Sequence, residues 1–465
     1  MPSPSTVQAV LGWRFWLAAA YLAAVFLLGG GARDDIQSLV LLRPIAALVC
    51  GVALLGLTRP AIARHRALFL FYIAVAVWTA LQLLPLPPGV WQALPGRALI
   101  QRIGVATGMA DAWRPFSIDP RATANALAAL LVPAPVLLLA AQLGRRELRA
   151  LIMVLLGIGL VSVLLAVAQI SSGAPYFYRI THEGAGVGLF ANRNHQAAYL
   201  AALFPLLAVF AQADAGDPAR ASLRIAGAGA MAVILVPLIL VTGSRAGLIL
   251  GVLGIAAAAI LWHRQPRRAA RPSKRAVRAL PLAAGFAAVA IVGLLAVFMA
   301  RAEAVTRLFA DDQGGDLRLK VWGPVWRTAS DYLPLGSGSG SFVTAFKLAE
   351  PDSLVRATYL NHAHNDLLEL FVTDGLVGTA LMALAIGWLA WRGMRGWFGS
   401  AAVHADAALA RAASALLALL FLASVSDYPL RVPSLACLAV LAAVWLNDAV
   451  RAKPTNPMDV SGTMG

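Results

Sequence analysis

Long apolar stretches are the feature that most restricts how this chain can fold. Stretches at residues 11–30, 67–84, 225–241 and 280–300 approach or reach the roughly 20 residues that a helix needs to cross a hydrocarbon core about 30 Å thick. Hydrophobic residues make up 60% of the chain and charged residues only 13%, whereas soluble domains average about 45–50% and 25%. The sequence therefore predicts a membrane protein.

Hydropathy predicts an all-α polytopic membrane protein with about twelve transmembrane helices. The predicted spans lie near residues 11–30, 38–57, 67–84, 122–143, 149–171, 194–212, 222–242, 245–262, 280–300, 366–391, 408–424 and 431–448. The first stretch ends without an A-x-A-like cleavage site, so we expect a span there rather than a cleaved signal peptide. Cys50 and Cys437 lie inside apolar stretches and are expected to be buried thiols.

Basic residues are distributed unevenly between alternate loops. If the N-terminus is cytoplasmic, the short loops at 58–66, 144–148 and 263–279 share its side and are rich in Lys and Arg, as the positive-inside rule requires. The net charge of +16 is then explained mainly by anchors beside an anionic leaflet. We therefore expect contact with membrane lipids and no nucleic-acid partner.

This orientation divides the chain into four parts. Residues 1–300 hold spans one to nine, 301–365 form a large outer loop, 366–450 hold spans ten to twelve, and 451–465 form a cytoplasmic tail. The loop at 301–365 is too long and too rich in polar and aromatic residues for a simple linker, so we expect a small helical cap on the outer, periplasmic surface.

The strongest local motif stands where the large loop enters the tenth span. Residues 362–378 read HAHNDLLELFVTDGLVG. Charged groups in a span are costly, so Asp366 and Glu369, which share one helix face, should face the bundle interior or water. His364 suits a general base because imidazole is mostly neutral yet basic near physiological pH, although a histidine here could also serve only as a helix cap. A metal site is less favoured because the ligand set is incomplete.

Three further motifs place an arginine at the same outer boundary. Residues 188–196 read GLFANRNHQ, 242–247 read TGSRAG, and 426–431 read SDYPLR. A guanidinium group can hold phosphate through two parallel hydrogen bonds, but lipid headgroups would satisfy any one of these arginines equally well. Arg193, Arg245 and Arg431 share their predicted depth with His364, and cations beside a candidate base at the headgroup level favour a reaction on a lipid-linked diphosphate.

The large loop supplies candidate substrate contacts. Arg318 and Trp322 lie in the segment RLKVW, and Gly338 lies in PLGSGSGSF, which we expect to be a flexible turn. Trp322 could stack on sugars, although the aromatic belt of a membrane interface explains it as well. The glycine run alone is weak evidence for a nucleotide-binding loop, because no strand precedes it.

Together these segments resemble the O-antigen ligase superfamily, which includes ligases, polysaccharide polymerases and protein O-oligosaccharyltransferases. The ligase signature is His, then Asn, Ser or Gln, nine residues, and G-x-x followed by Gly, Thr or Tyr. It is matched by His364-Asn365, residues 366–374 and Gly375 to Gly378. The resemblance spans about 115–435 and includes SIDP at 117–120.

The resemblance implies a GT-C-like glycosyltransferase architecture in the bacterial inner membrane, with a periplasmic active face and no metal or cofactor. It implies inverting transfer of a glycan from undecaprenyl diphosphate to an acceptor hydroxyl on lipid A-core or a growing glycan. Arg193 and Arg245 would bind the diphosphate, and His364 would accept the proton. Asp366 or Glu369 would orient His364 or the acceptor.

Other functions remain open from sequence. A polymerase of the same superfamily would use the same donor chemistry with a different acceptor. A glycolipid flippase also needs many spans and cationic sites, and Arg43, inside a span, is the best evidence for it. Transporters, however, usually bind substrate near the midplane, whereas the polar motifs here gather at one rim.

Overall fold

The computed structural model describes residues 11–33, 35–173, 175–179, 185–213, 218–264, 313–355, 359–398 and 407–450, with side chains omitted at 313–319 and 449–450. Its helices, in chain order, are α1 Trp13–Leu28, α2 Leu39–Leu55, α3 Arg59–Arg64, α4 Arg66–Leu81, α5 Pro88–Gln92, α6 Ala98–Ala106, α7 Pro120–Ala129, α8 Ala134–Ala140, α9 Arg145–Ser172, α10 Arg193–Ala211, α11 Pro218–Val241, α12 Arg245–Arg264, α13 Gln313–Tyr332, α14 Phe342–Lys347, α15 Asp366–Phe398, α16 Ala407–Ser424 and α17 Pro433–Val450. Two short strands, β1 Pro85–Leu86 and β2 Arg114–Pro115, pair antiparallel.

The prediction of an all-α polytopic membrane protein is confirmed. Within the described ranges, 7 helices are long and apolar enough to cross a membrane, and shorter apolar helices occupy the positions of α1, α2, α4 and α17. Each predicted span in these ranges coincides with one of these helices. The predicted span at 280–300 lies outside the described residues.

The two ends of the helix bundle differ in chemistry. At one end Arg64 and Arg145 both approach Asp448, at 3.7 and 3.9 Å, and the Gly12 amide donates to Glu147. We call this end the basic face. At the other end the cap helix α13 packs against α15, and this end is called the cap face. The short basic loops at 58–66 and 144–148 therefore meet at one end, as the sequence predicted.

The span at 120–140 is broken between α7 and α8. Pro133 and Pro135 cannot donate the amide hydrogen bonds that a continuous helix needs, and the break leaves carbonyl groups that water cannot reach inside a bundle. The Tyr21 hydroxyl donates to the Val132 carbonyl at 2.6 Å, and the Tyr72 hydroxyl donates to the Leu130 carbonyl. These two tyrosines therefore provide hydrogen-bond donors for two carbonyl groups at the break in the helix.

We expect Tyr21→Phe to lower the free energy of unfolding by about 0.5–1.5 kcal/mol, the net contribution of one hydrogen bond, because the buried Val132 carbonyl would keep only the weaker contact from the Cys437 thiol, at 3.6 Å. Thermal unfolding in detergent micelles would measure the loss. Tyr359→Phe is the matched control, since Tyr359 is 47% exposed. Equal midpoints for Tyr21→Phe and the control would contradict this role.

Arg43, the basic residue within a predicted span, lies in the second turn of α2. Its guanidinium Nη2 donates to Asn125 Oδ1 on α7 at 2.5 Å. Its contact is therefore an amide of a neighbouring helix near the cap-face end of α2, which weakens the interpretation of Arg43 as part of a midplane transport site.

Helix α10 is the central helix of the bundle and is buried along almost its whole length. Small residues bring α12 directly against it: a Cβ added to Gly247 would lie 2.4 Å from Ala197 Cβ, and one added to Gly254 would lie 2.5 Å from the Ala201 carbonyl oxygen. Side chains larger than hydrogen would push the helices apart. The first turns of α10 and α12 therefore lie side by side at the cap face.

The described part of the large loop is helical and has its own small core. Residues of α13 and α14, including Val325 and Phe342, pack on Val372 of α15. The cap also holds the loop between α4 and α7 through Arg97, which is 1% exposed and lies among the rings of Trp91, Phe116 and Tyr332. Burial lowers the pKa of Arg97 to about 10, so it remains a cation at neutral pH.

The glycine–serine turn at 334–341 is fastened to a break in α15. Gly375 there has φ 57° and ψ −145°, a conformation essentially restricted to glycine. The Leu376 amide donates to the Pro334 carbonyl at 2.8 Å, and the Ser337 and Gly338 amides donate to the Val372 and Thr373 carbonyls at 2.9 and 2.8 Å. The expectation of a flexible turn was wrong, because these bonds and close packing hold it rigid.

Candidate functional site

A cluster of polar side chains lies at the cap face, where three chain segments converge. The segments are the entrance to α15, the first turn of α10, and the connection 425–432 between α16 and α17. Together they bring His364, Asp427 and Asn194 into one connected group. This group forms the candidate functional site.

His364 is held beside a buried carboxylate. Its Nδ1 lies 3.3 Å from Asp427 Oδ1, a close polar contact without the alignment of a hydrogen bond. Catalytic hydrogen bonds are often long in the absence of substrate and tighten in the reacting complex. Because Nδ1 faces Asp427, Nε2 is the nitrogen left to meet a substrate.

The backbone at His364 explains this orientation. His364 has φ 51°, and it is the non-glycine residue with positive φ in the described ranges. Such a conformation costs a non-glycine residue roughly 1–3 kcal/mol and tends to persist at functional sites. In this turn the imidazole lies beside Asp427 and Tyr428 of the connection 425–432.

Asp427 is itself held by the first turn of α10. Asn194 Nδ2 donates to Asp427 Oδ2 at 2.7 Å, and Asn192 Nδ2 donates to the same oxygen at 3.4 Å. His195 Nε2 lies 3.9 Å from Asp427 Oδ1. Asp427 is only 3% exposed, so these contacts fix the direction of its carboxylate.

Tyr428 fills the space between three imidazole rings. Its ring centroid lies 5.2, 4.2 and 5.1 Å from those of His195, His362 and His364. Burial, and then the charge of Asp427, raise the pKa of Tyr428 to about 12. The phenol therefore stays neutral and acts as a packing and hydrogen-bonding group.

A second acidic group, formed by Asp366 and Glu369, lies in the first turn of α15. Glu369 is 1% exposed; its Oε1 lies 3.0 Å from His362 Nδ1 and 3.3 Å from Arg431 Nη1. Arg431 Nε donates to Asp366 Oδ1 at 3.0 Å. Burial opposes the charge on Arg431, but Glu369 and Asp366 outweigh that effect and raise its pKa.

This arrangement corrects the expected partners of His364. Asp366 and Glu369 share a helix face, as predicted, but they contact Arg431 and His362 rather than His364. The reason is the positive φ at His364, which turns its ring toward Asp427. Asp366 Oδ2 is closed off from solvent.

Arg193 and Arg245 begin adjacent helices. Arg193 is the first residue of α10 and Arg245 the first of α12, and the contact between Gly247 and Ala197 lies within about one turn of both. Helix N-termini favour anions through their aligned dipoles and free amide groups. The two arginines therefore share one rim with two helix N-termini, which is a chemistry suited to a diphosphate.

The remaining predicted substrate contacts have different surroundings. Gly338 is buried, and a Cβ there would lie 2.2 Å from Ser117 Oγ, so it supports the cap rather than a ligand. Trp322 lies on α13 and is half-buried, and its indole nitrogen has no hydrogen-bond partner. Arg431 forms the ion pairs described above. The side chain of Arg318 lies outside the described residues.

Sequence reasoning missed Asp427, Asn194 and Tyr428. Asp427 stands beside Arg431 in SDYPLR, and Asn194 stands beside Arg193, but attention to phosphate-binding cations favoured the arginines. An ionisable group at the end of an apolar span is a functional candidate by itself. That signal would have selected Asp427.

The described residues contain no group of three or more His, Cys, Asp or Glu side chains arranged to hold a metal ion. The three histidines of the site, His195, His362 and His364, each lie beside a carboxylate and the Tyr428 ring. The site thus combines a histidine–aspartate pair, a buried arginine–carboxylate group and two arginines at helix N-termini.

Fold and site together define a multi-pass membrane protein with a rim site suited to acid–base chemistry on an anionic substrate. Residues 230–383 match the family model described as O-Antigen ligase. The match includes Arg245 and His364, while Arg193 and Asp427 lie outside it. It supports the O-antigen ligase superfamily, so the resemblance drawn from the motifs is confirmed. No curated protein sequence matches the chain.

The match supports a ligase- or polymerase-type function in polysaccharide assembly, with glycosyltransferase-like activity. It covers about a third of the chain, including the helix that begins at Arg245 and the first part of the helix that follows His364.

Proposed function

We propose that this protein transfers a glycan from undecaprenyl diphosphate to an acceptor hydroxyl at the periplasmic face of the bacterial inner membrane, with inversion at the sugar. The observation that carries the proposal is the pairing of His364 with buried Asp427 at the rim where Arg193 and Arg245 begin their helices. The acceptor would be lipid A-core, as for an O-antigen ligase. A growing glycan, as for a polymerase, is the alternative.

The proposed reaction needs one base and a site for developing negative charge. His364 Nε2 takes the proton as the acceptor oxygen attacks the anomeric carbon, and the bond from that carbon to the phosphate oxygen breaks. The electron pair leaves with undecaprenyl diphosphate, where Arg193 and Arg245 stabilise the added charge. Asp427 stabilises the imidazolium that forms on His364.

The basic residues at the end of the bundle opposite the cap support the proposed orientation of the protein in the membrane. The basic face carries Arg64, Arg145 and neighbouring arginines, which the positive-inside rule places toward the cytoplasm. The cap face is then periplasmic. A flippase remains less favoured because the connected polar group lies at the rim and not at the midplane.

Arg245→Ala is expected to lower kcat/KM for transfer by about 10- to 150-fold, the equivalent of one charge-assisted interaction of about 1.5–3 kcal/mol with the diphosphate. Transfer would be measured with purified protein in nanodiscs, using an undecaprenyl diphosphate-linked oligosaccharide. Arg220→Ala is the matched control, because Arg220 is exposed and belongs to a predicted cytoplasmic segment.

Undiminished transfer by Arg245→Ala would contradict its role in donor binding. Movement of the lipid-linked donor across the bilayer without transfer would favour a flippase. Supplying lipid A-core and a lipid-linked glycan in separate reactions distinguishes a ligase from a polymerase, because each would extend only its own acceptor. Neighbouring genes for core lipopolysaccharide or for exopolysaccharide would indicate the same choice.

A further inference from the structure

The first turn of α10 contributes more to the site than its arginine. Asn192, Asn194 and His195 flank Arg193 on this turn, and all three face Asp427. The shortest of these contacts is the hydrogen bond from Asn194 Nδ2 to Asp427 Oδ2, at 2.7 Å. Asp427 in turn lies beside His364. The first turn of α10 is therefore linked to His364, the proposed base, through the Asp427 carboxylate.

The burial of these groups makes the contact specific. Asp427 is 3% exposed and His195 is 2% exposed. Neither ring nitrogen of His195 has a hydrogen-bond partner, which is costly for a buried polar group and calls for an explanation in the site itself. Its Nε2 faces Asp427 Oδ1 at 3.9 Å, so a small movement of the carboxylate toward α10 would satisfy it.

We propose that Asn194 is a positioning residue for the base: it holds the Asp427 carboxylate so that Oδ1 faces His364, and thereby links the turn that carries Arg193 to the orientation of His364. Without Asn194, Asp427 can turn toward His195 and away from His364. The same turn would then serve both substrates, the donor through Arg193 and the acceptor through the base. The kinetic part of this inference rests on the proposed function.

The charge around this contact comes from three directions. From α10 come His195 and Arg193, and Arg245 begins the adjacent α12. The connection 425–432 supplies Asp427, Tyr428 and Arg431. The entrance to α15 supplies His362, His364, Asp366 and Glu369.

The kinetic test compares Asn194→Ala with Asn194→Asp in the full-length protein in nanodiscs. Asn194→Ala is expected to lower kcat by about 10- to 150-fold, the equivalent of a hydrogen bond to a charged group, with donor KM unchanged. It should also move the acid limb of the kcat profile to lower pH, because the imidazolium loses its fixed carboxylate. Asn194→Asp adds a negative charge and should move that limb to higher pH.

Opposite shifts for the two variants are a signature that a merely structural residue would not produce. Asn125→Asp is the matched control: it adds the same charge on α7 beside Arg43, away from Asp427, and should leave the pH profile of kcat unchanged. If Asn194→Ala and Asn194→Asp both lose activity without moving the acid limb, or move it in the same direction, the proposal is overturned.

A structural measurement separates this inference from the proposed function. Cryo-electron microscopy of wild-type protein and Asn194→Ala should show Asp427 turned away from His364 in the variant alone. An unchanged contact between Asp427 and His364 in the variant would overturn the inference, even if transfer is observed. Absence of transfer by wild-type protein would refute the proposed function, while the two maps would still decide the role of Asn194.

Discussion

His364→Ala is expected to lower kcat for glycan transfer by about 10²- to 10⁴-fold, the range over which a positioned general base acts. His364 supplies the imidazole that sits next to buried Asp427 with Nε2 free to receive the acceptor proton. The donor should still bind, since the arginines are untouched, so KM for the lipid-linked donor should change little. The assay is transfer from the lipid-linked oligosaccharide in nanodiscs.

His263→Ala provides the control, because His263 is exposed at the end of α12 opposite Arg245. It should retain full activity. Asp427→Asn tests the partner of His364: it keeps the size of the side chain but removes the charge that stabilises the imidazolium, so kcat should fall while the protein remains folded. Full transfer by His364→Ala would rule out its assignment as the base.

Arg431→Met is expected to lower the free energy of unfolding by about 3–5 kcal/mol, because removal of one partner leaves buried charge uncompensated. Arg431 holds both Asp366 and Glu369, which are only 5% and 1% exposed. The loss is larger than for a surface ion pair, which contributes about 0–1 kcal/mol. Thermal unfolding in detergent micelles would record it.

Arg327→Met on α13 is the matched control, since Arg327 is exposed and should tolerate the change. The triple variant that also carries Asp366→Asn and Glu369→Gln should recover part of the stability, because no buried carboxylate is then left without a cation. If the single variant were as stable as wild type, Arg431 would not be the partner that compensates Asp366 and Glu369.

The bundle could be predicted from sequence because a membrane-spanning helix has a characteristic length and an apolar composition. Stretches of about 20 apolar residues identified each described span, and the basic loops at 58–66 and 144–148 meet at one end of the bundle. The break at Pro133 was harder to predict, because hydropathy continues smoothly across it. It depends on Tyr21 and Tyr72, which come from distant helices to satisfy the free carbonyls.

The candidate site could be predicted only in part because its residues are distant in sequence. Motifs identified His364, Arg193 and Arg245 singly, and their depth suggested that they share a rim. No spacing rule connects His364 with Asp427, since their meeting depends on the positive φ at 364 and on how α15 packs against α16. From sequence, the nearer carboxylates, Asp366 and Glu369, were therefore expected to orient His364 or the acceptor, and Asp427 was not considered.

The same reasoning explains the error at Gly338. A run of glycines and serines favours flexibility when the chain is considered alone. In the folded protein, amide groups of the turn donate to carbonyls of the break at Gly375, and Ser339 donates to buried Asp374. The glycines are needed for close approach, and local composition carries no information about the surface they approach.

The seam between the turn at 334–341 and the break in α15 has a consequence for engineering chimaeras. It is made chiefly of backbone groups. A Cβ at Gly336 or Gly375 would collide with the backbone of the other segment, and a Cβ at Gly338 would collide with Ser117. A cap transplanted from a related protein would therefore have to bring this turn in the same register, with glycine retained at these positions. Residues on the exposed side of α13, such as Trp326 and Arg327, lie outside this seam, so changes there would leave its backbone contacts in place.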